Sequence, residues 1–125
     1  IACGIAVALA LEAAASLQKQ GLSCRVLNMS TLKPLDEEAV VRAARETGAI
    51  VTAEEHYRHG ALASLVAQAL AERAPAPQGV VALDRYGESG KSEELLEKYG
   101  LTARAIERAV LETVARKQQG MSCSV

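Results

Sequence analysis

Apolar positions along this chain fall into two alternating patterns. Short continuous apolar runs of strand length are separated by longer stretches in which apolar residues recur every three or four positions. The chain opens with Ile1-Ala2-Cys3 and a turn at Gly4, which reads as the tail of a buried strand. Residues 8–19, rich in Ala, Leu, Glu and Gln, predict a helix stopped by Gly21. Cys24 to Met29 is the next strand candidate. Asp36 then caps a helix whose Ala39, Val40, Ala43 and Ala44 share one face, ending near Gly48. Ala49 to Ala53 predicts a second buried strand. Leu62, Leu65, Val66, Ala69 and Leu70 follow at helical spacing. After the loop Pro75 to Gly79, Val80 to Leu83 is another short strand. A short helix around Leu95, Leu96 and Tyr99 stops at Gly100. A last helix, capped by Thr102, turns Ile106, Ala109, Val110 and Val114 inward.

Apolar strands alternating with amphipathic helices predict a parallel sheet covered on both faces, a three-layer α/β/α domain. The expected domain is residues 1–116, with 117–125 as a flexible tail. At 125 residues the chain is one domain. It carries 24 Ala but no Phe, no Trp and three Tyr, so the core is built from small aliphatic side chains at close approach. Platforms for stacking nucleic-acid bases are nearly absent. Charge is balanced at 14 basic against 15 acidic residues with no basic block, which argues against nucleic acid and anionic membrane as partners. Ile5 to Leu11 is too short an apolar run to cross a bilayer. Cys3, Cys24 and Cys123 lack metal spacing and read as free thiols in a reducing cytoplasm. The opening on Ile1, straight into apolar sequence, suggests a piece of a longer polypeptide.

Three loops fall at carboxyl ends of strands, where open parallel sheets hold ligands. Cys3 to Ala6 lacks the glycine spacing of a dinucleotide loop. Its Cys3, near a helix start, is a candidate nucleophile set against a small core residue. Glu54-Glu55-His56-Tyr57-Arg58-His59-Gly60 is the densest polar cluster, and its Glu55, His56 and His59 are candidate acid–base or substrate-contacting residues. The alternative is a hydrogen-bonded loop at a subunit interface. Gly87 to Ser92 resembles half of a phosphate loop, but Gly87 and Gly90 are too close together, so a turn with a helix cap is the better reading.

Lys33-Pro34-Leu35-Asp36, then Val51 to His56 followed by Gly60, then Tyr86-Gly87-Glu88-Ser89-Gly90 with Leu95 to Thr102 after it, together resemble the transketolase C-terminal domain. The resemblance is greatest to the split transketolases and covers residues 1–115. It implies an α/β/α unit with a mostly parallel five-stranded sheet and one antiparallel edge strand. It also implies that the first edge strand, upstream of Gly4, is missing, with the sheet edge it would cover either exposed or re-paired. The parent enzymes are thiamine-diphosphate transferases that move a two-carbon ketol unit between sugar phosphates. Their cofactor and divalent metal lie between a diphosphate-binding and a pyrimidine-binding domain, which would be this chain's partners in a homodimeric enzyme. The resemblance thus implies a non-catalytic interface role, with no cofactor or metal held by this chain. Where relatives carry Gly-Gly-Leu-Gly-Ser, this chain has Gly60-Ala61-Leu62-Ala63-Ser64, which favours an early helix start at the cost of backbone freedom. The alternatives are the equivalent domain of deoxyxylulose-phosphate synthase or of a 2-oxoacid dehydrogenase β chain, a free-standing binding module, and a small thiol enzyme using Cys3 or Cys24.

Overall fold

A computed structural model describes residues 1–121. Helix α1 (Ala6–Lys19) buries Ala6, Ala10, Ala13 and Leu17, one residue per turn, and so lies close on the sheet. Helix α2 (Glu37–Thr47) begins where the Asp36 carboxylate accepts from Ala39 N at 3.0 Å and ends on Gly48, whose φ of 68° closes the helix in the left-handed region. Strand β1 (Ile50–Tyr57) pairs in parallel with strand β2 (Gln78–Leu83), with helix α3 (Leu62–Arg73) as the crossover between them. Helix α4 (Ser92–Lys98) and helix α5 (Ala103–Met121) complete the chain.

The two faces of the sheet carry two cores. Ala2, Ala53 and Val81 face α1 and α5, joining Ala6, Ala10, Ala13, Leu101 and Ile106. Ile50 and Met29 face α2 and α3, joining Val40, Ala43, Ala44, Leu62, Val66 and Leu70. Three layers result, as the alternation predicts. The helix layers sit close because Ala supplies most of the contact on α1 and α2.

Four features differ from the sequence expectations. Residues 1–3 do not border an open sheet edge. Ala2 bridges both Asn28 and Ala53 in parallel, so the sheet runs in the order Asn28, Ala2, β1, β2, and the opening strand is interior. Among the described residues, the expected strand Cys24 to Met29 is bridged only at Asn28, where Ala2 N donates to Leu27 O and Met29 N to Ala2 O. All pairing among the described residues is parallel, and the antiparallel edge strand is not among it. Finally, the expected tail at 117–125 is helical as far as Met121. Lys117 Nζ donates to Thr47 O at 2.8 Å, neutralising the carboxyl end of α2, and Arg116 donates to Gln78 O at 2.8 Å. Residues 122–125, with Cys123, lie outside the described residues.

Candidate functional site

The polar cluster after β1 is not one loop. Glu54, Glu55, His56 and Tyr57 continue the strand, and only Arg58 to Gly60 turn away. Burial ends within this stretch, at a register shift after Ala53: Glu54 is buried, and Glu55, His56 and Tyr57 are all exposed. Glu54 turns inward and is 1% exposed. Its Oε2 accepts from Leu62 N at 2.9 Å and its Oε1 from Ala63 N at 2.8 Å. A buried carboxylate thus caps α3, whose own N-cap, Ala61, has no side chain able to do so. Ser64 Oγ accepts from Gly60 N at 2.8 Å and closes the same turn, where Gly60 has a φ of 91°. The Ala substitutions at 61 and 63 are accommodated, because the one left-handed position keeps its glycine.

Glu55, His56 and His59 are exposed. His56 Nδ1 accepts from Tyr57 N at 2.7 Å, which leaves Nε2 as the outward donor in the neutral ring. His56 stands edge-on to Tyr57, and Tyr57 edge-on to Tyr86, each with centroids 5.6 Å apart. Tyr86 is 85% exposed. The Arg58 guanidinium binds both oxygens of Asp84, at 2.5 and 3.3 Å, and so ties the end of β1 to the end of β2. That hydrogen bond raises the Arg58 pKa and lowers that of Asp84. The third loop packs beside it. Arg85 lies 5.4 Å over the Tyr99 ring, and Lys98 donates to Glu88 at 2.6 Å, holding the Glu88 carboxyl below its ordinary range.

The structure therefore gathers the ends of β1 and β2 into one exposed aromatic and charged surface. The three candidates do not converge on a cavity. Glu55, His56 and His59 form no shared pocket with Cys3, and among the described residues no three His, Cys, Asp or Glu side chains stand close enough to hold a metal ion. Cys3 is half-buried. Burial, then the negative charge of Glu54, pushes its thiol pKa up. Burial does the same to Cys24. A nucleophilic cysteine needs the opposite shift, so the thiol-enzyme reading loses its support. Sequence reasoning missed the roles of Glu54, Tyr86 and the Arg58–Asp84 bridge. The available signal for Glu54 was a helix start, Gly60-Ala61, with no capping side chain of its own.

Comparison with known proteins gives these positions a context. The family model "Transketolase, C-terminal domain" matches residues 1–106. The chain is 49% identical over 118 residues to the 6-deoxy-6-sulfo-D-fructose transketolase subunit SqwH of Clostridium sp. (strain MSTE9), covering 94% of this chain and 37% of that protein. It is 40% identical over 117 residues to an apulose-4-phosphate transketolase subunit of Phocaeicola vulgatus, covering 93% of this chain and again 37% of that protein. A solved split gene transketolase, described as an inactive beta4 tetramer, superposes with a TM-score of 0.90 at 46% identity over 93% of this chain and 38% of that one. The chain thus spans little more than a third of each of these relatives.

Proposed function

Since this chain belongs to the transketolase C-terminal domain family, we propose that it works as the C-terminal interface domain of a ketol transferase, moving a two-carbon unit between sugar phosphates. The observation that carries this reading is its 49% identity, over 94% of its own length, to one region of a transketolase subunit. Catalysis then belongs to the assembled enzyme, and this chain alone is inactive. Thiamine diphosphate with a divalent metal would supply the carbanion chemistry there. The side chains present here do not fit that group. No Gly-Asp-Gly sequence occurs in the 125 residues, and among the described residues the strand ends offer an ion-paired Asp84 and a helix-capping Glu54 in place of a convergent acidic set.

What this chain's residues contribute is a surface. Tyr57, Tyr86 and His56 form an exposed aromatic patch at the strand ends, rimmed by the Arg58–Asp84 pair, of the composition that partner domains bury. Its partners in this reading are the pyrimidine-binding and diphosphate-binding domains of a dimeric enzyme in the cytoplasm. His56, His59 and Glu55 are the residues assigned to the side facing the substrate cleft. The test is to isolate the native species that carries this sequence, with whatever co-purifies, and to assay it with thiamine diphosphate, Mg²⁺ and a panel of ketose and aldose phosphates. Two-carbon transfer by that species, and none by the 125-residue chain alone, is the expected result. A native species with no thiamine-diphosphate polypeptide and no transfer activity overturns the proposal.

A further inference from the structure

Among the described residues, β2 has a strand on one side only, β1. In a parallel ladder successive residues turn their N–H and C=O groups alternately to the two sides of the strand. Ile50 N donates to Pro77 O at 3.0 Å and Arg58 N to Leu83 O at 2.9 Å, so the odd-numbered residues of β2 face β1. The even-numbered ones, Gln78, Val80 and Ala82, face outward. Arg116 reaches across from α5 and donates to the Gln78 carbonyl at 2.8 Å. Among the described residues, no hydrogen bond reaches the backbone N–H or C=O of Val80 or Ala82. Val80 is half-buried and Ala82 is 7% exposed, a setting in which backbone polar groups are nearly always paired.

A strand edge of this kind is ordinarily guarded by Lys, Pro or an inward-pointing charge. Gln78-Gly79-Val80-Val81-Ala82-Leu83 carries none of these. Charge lies at its two ends instead. Arg116 stands at Gln78, and Asp84 follows Leu83. Arg58 holds Asp84 from the β1 side but leaves its side chain 67% exposed, and the neighbouring Arg85 lies over the Tyr99 ring. An edge with a cation at one end and a carboxylate at the other matches itself when turned end for end.

We propose that the outer edge of β2 pairs antiparallel with the same edge of a second copy of this chain, about a two-fold axis at Val81. Val80 then stands opposite Ala82 of the second copy, and Ala82 opposite its Val80. Each pair exchanges both N–H···O bonds, as hydrogen-bonded antiparallel pairs do. The same register sets Gln78, with Arg116 beside it, opposite Asp84 of the second copy, and does so at both ends. An axis at Val80 would instead set the engaged Gln78 opposite Ala82, and an axis at Ala82 would set Asp84 opposite Val80. The contact is isologous, so association closes at two copies and one sheet runs through both. Backbone bonds give the affinity, and the paired charges fix the register. This inference goes beyond the ketol-transfer reading and does not depend on it.

The test is sedimentation equilibrium of the 125-residue chain from about 1 µM to about 1 mM, with amide hydrogen exchange at both limits. A reversible monomer–dimer equilibrium is expected, with exchange at Val80 and Ala82 slowing about tenfold at the high limit. Ala82→Pro removes an outward N–H without touching the ladder to β1, and should leave a monomer. Arg116→Glu and Asp84→Arg each set like charges against one another at both ends, and each should weaken the dimer about tenfold. Mixing these two variants restores an opposite-charge pair at both ends, so the mixed dimer should recover the original affinity. The mixing arm decides the matter even should Ala82→Pro disturb the fold. A monomer throughout, protection absent from Val80 and Ala82, no recovery on mixing, or growth beyond two copies would each overturn the proposal.

Discussion

Glu54 shows how a single charged side chain becomes structural. It sits in the polar run that reads as a reactive loop, yet its two oxygens are spent on Leu62 N and Ala63 N. Glu54→Ala leaves two N–H groups without a partner and should cost about 1–3 kcal/mol in urea unfolding, with Glu54→Gln intermediate because one acceptor oxygen remains. A loss no larger than that of Glu55→Ala, an exposed neighbour, would refute the capping role. The thiols offer a second test on individual side chains. Their raised pKa values mean that less thiolate is present at pH 7.5 than in free cysteine. In a Cys123→Ser background, alkylation of Cys3 and Cys24 should be slower than that of free cysteine at pH 7.5 and should climb only above the ordinary thiol range. Fast labelling near neutrality would restore the nucleophile reading.

Between elements, the contact of β2 with α5 is set by a missing side chain. A Cβ on Gly79 would stand 2.4 Å from Thr113 Oγ1, 3.2 Å from Val51 Cγ2 and 3.3 Å from Ala109 O. Thr113 is itself buried and donates to Ala109 O at 2.6 Å. Gly79→Ala is therefore expected to destabilise by about 1–3 kcal/mol, as overpacking does. Adding Thr113→Ala removes the nearest obstacle, so the double variant should lose less than the sum of the single changes in thermal or urea melts. Strict additivity would show that β2 and α5 shift apart freely. Element boundaries were the least legible feature of the sequence, for a reason visible here. Glu54 to Tyr57 look like a loop because they are polar, but parallel pairing with β2, broken by a register shift after Ala53, resumes at Tyr57 opposite Leu83. The helix past residue 117 looks like a frayed end, but Lys117 and Arg116 are held by the carboxyl end of α2 and by the start of β2.

Across the molecule, the parallel strand order brings the ends of β1 and β2 to one side of the sheet. The carboxyl ends of β1 and β2 present the aromatic and charged surface. If that surface meets the cofactor-bearing domains, His56 and His59 act on substrate orientation from outside this chain's core. In the assembled enzyme, replacing both by Ala should raise KM for the sugar phosphate severalfold while leaving the melting temperature unchanged, since both rings are exposed. Unchanged KM would withdraw the two histidines from the site and leave them as surface residues.

Local pattern along the chain was enough for the class of fold, the helix faces, the Asp36 and Thr102 caps and the family. Each of these depends on the local period of apolar residues, on side chains one turn apart, or on the joint spacing of Lys33 to Asp36, Val51 to His56 and Tyr86 to Gly90. Packing in three dimensions was needed to place residues 1–3 inside the sheet, to make Glu54 a cap and to bring Arg58 to Asp84. Those outcomes join residues 8 to 51 positions apart. Which carboxylate meets which amide, and which strand lies between which two, follows from how the layers stack, and no local pattern in the chain encodes that.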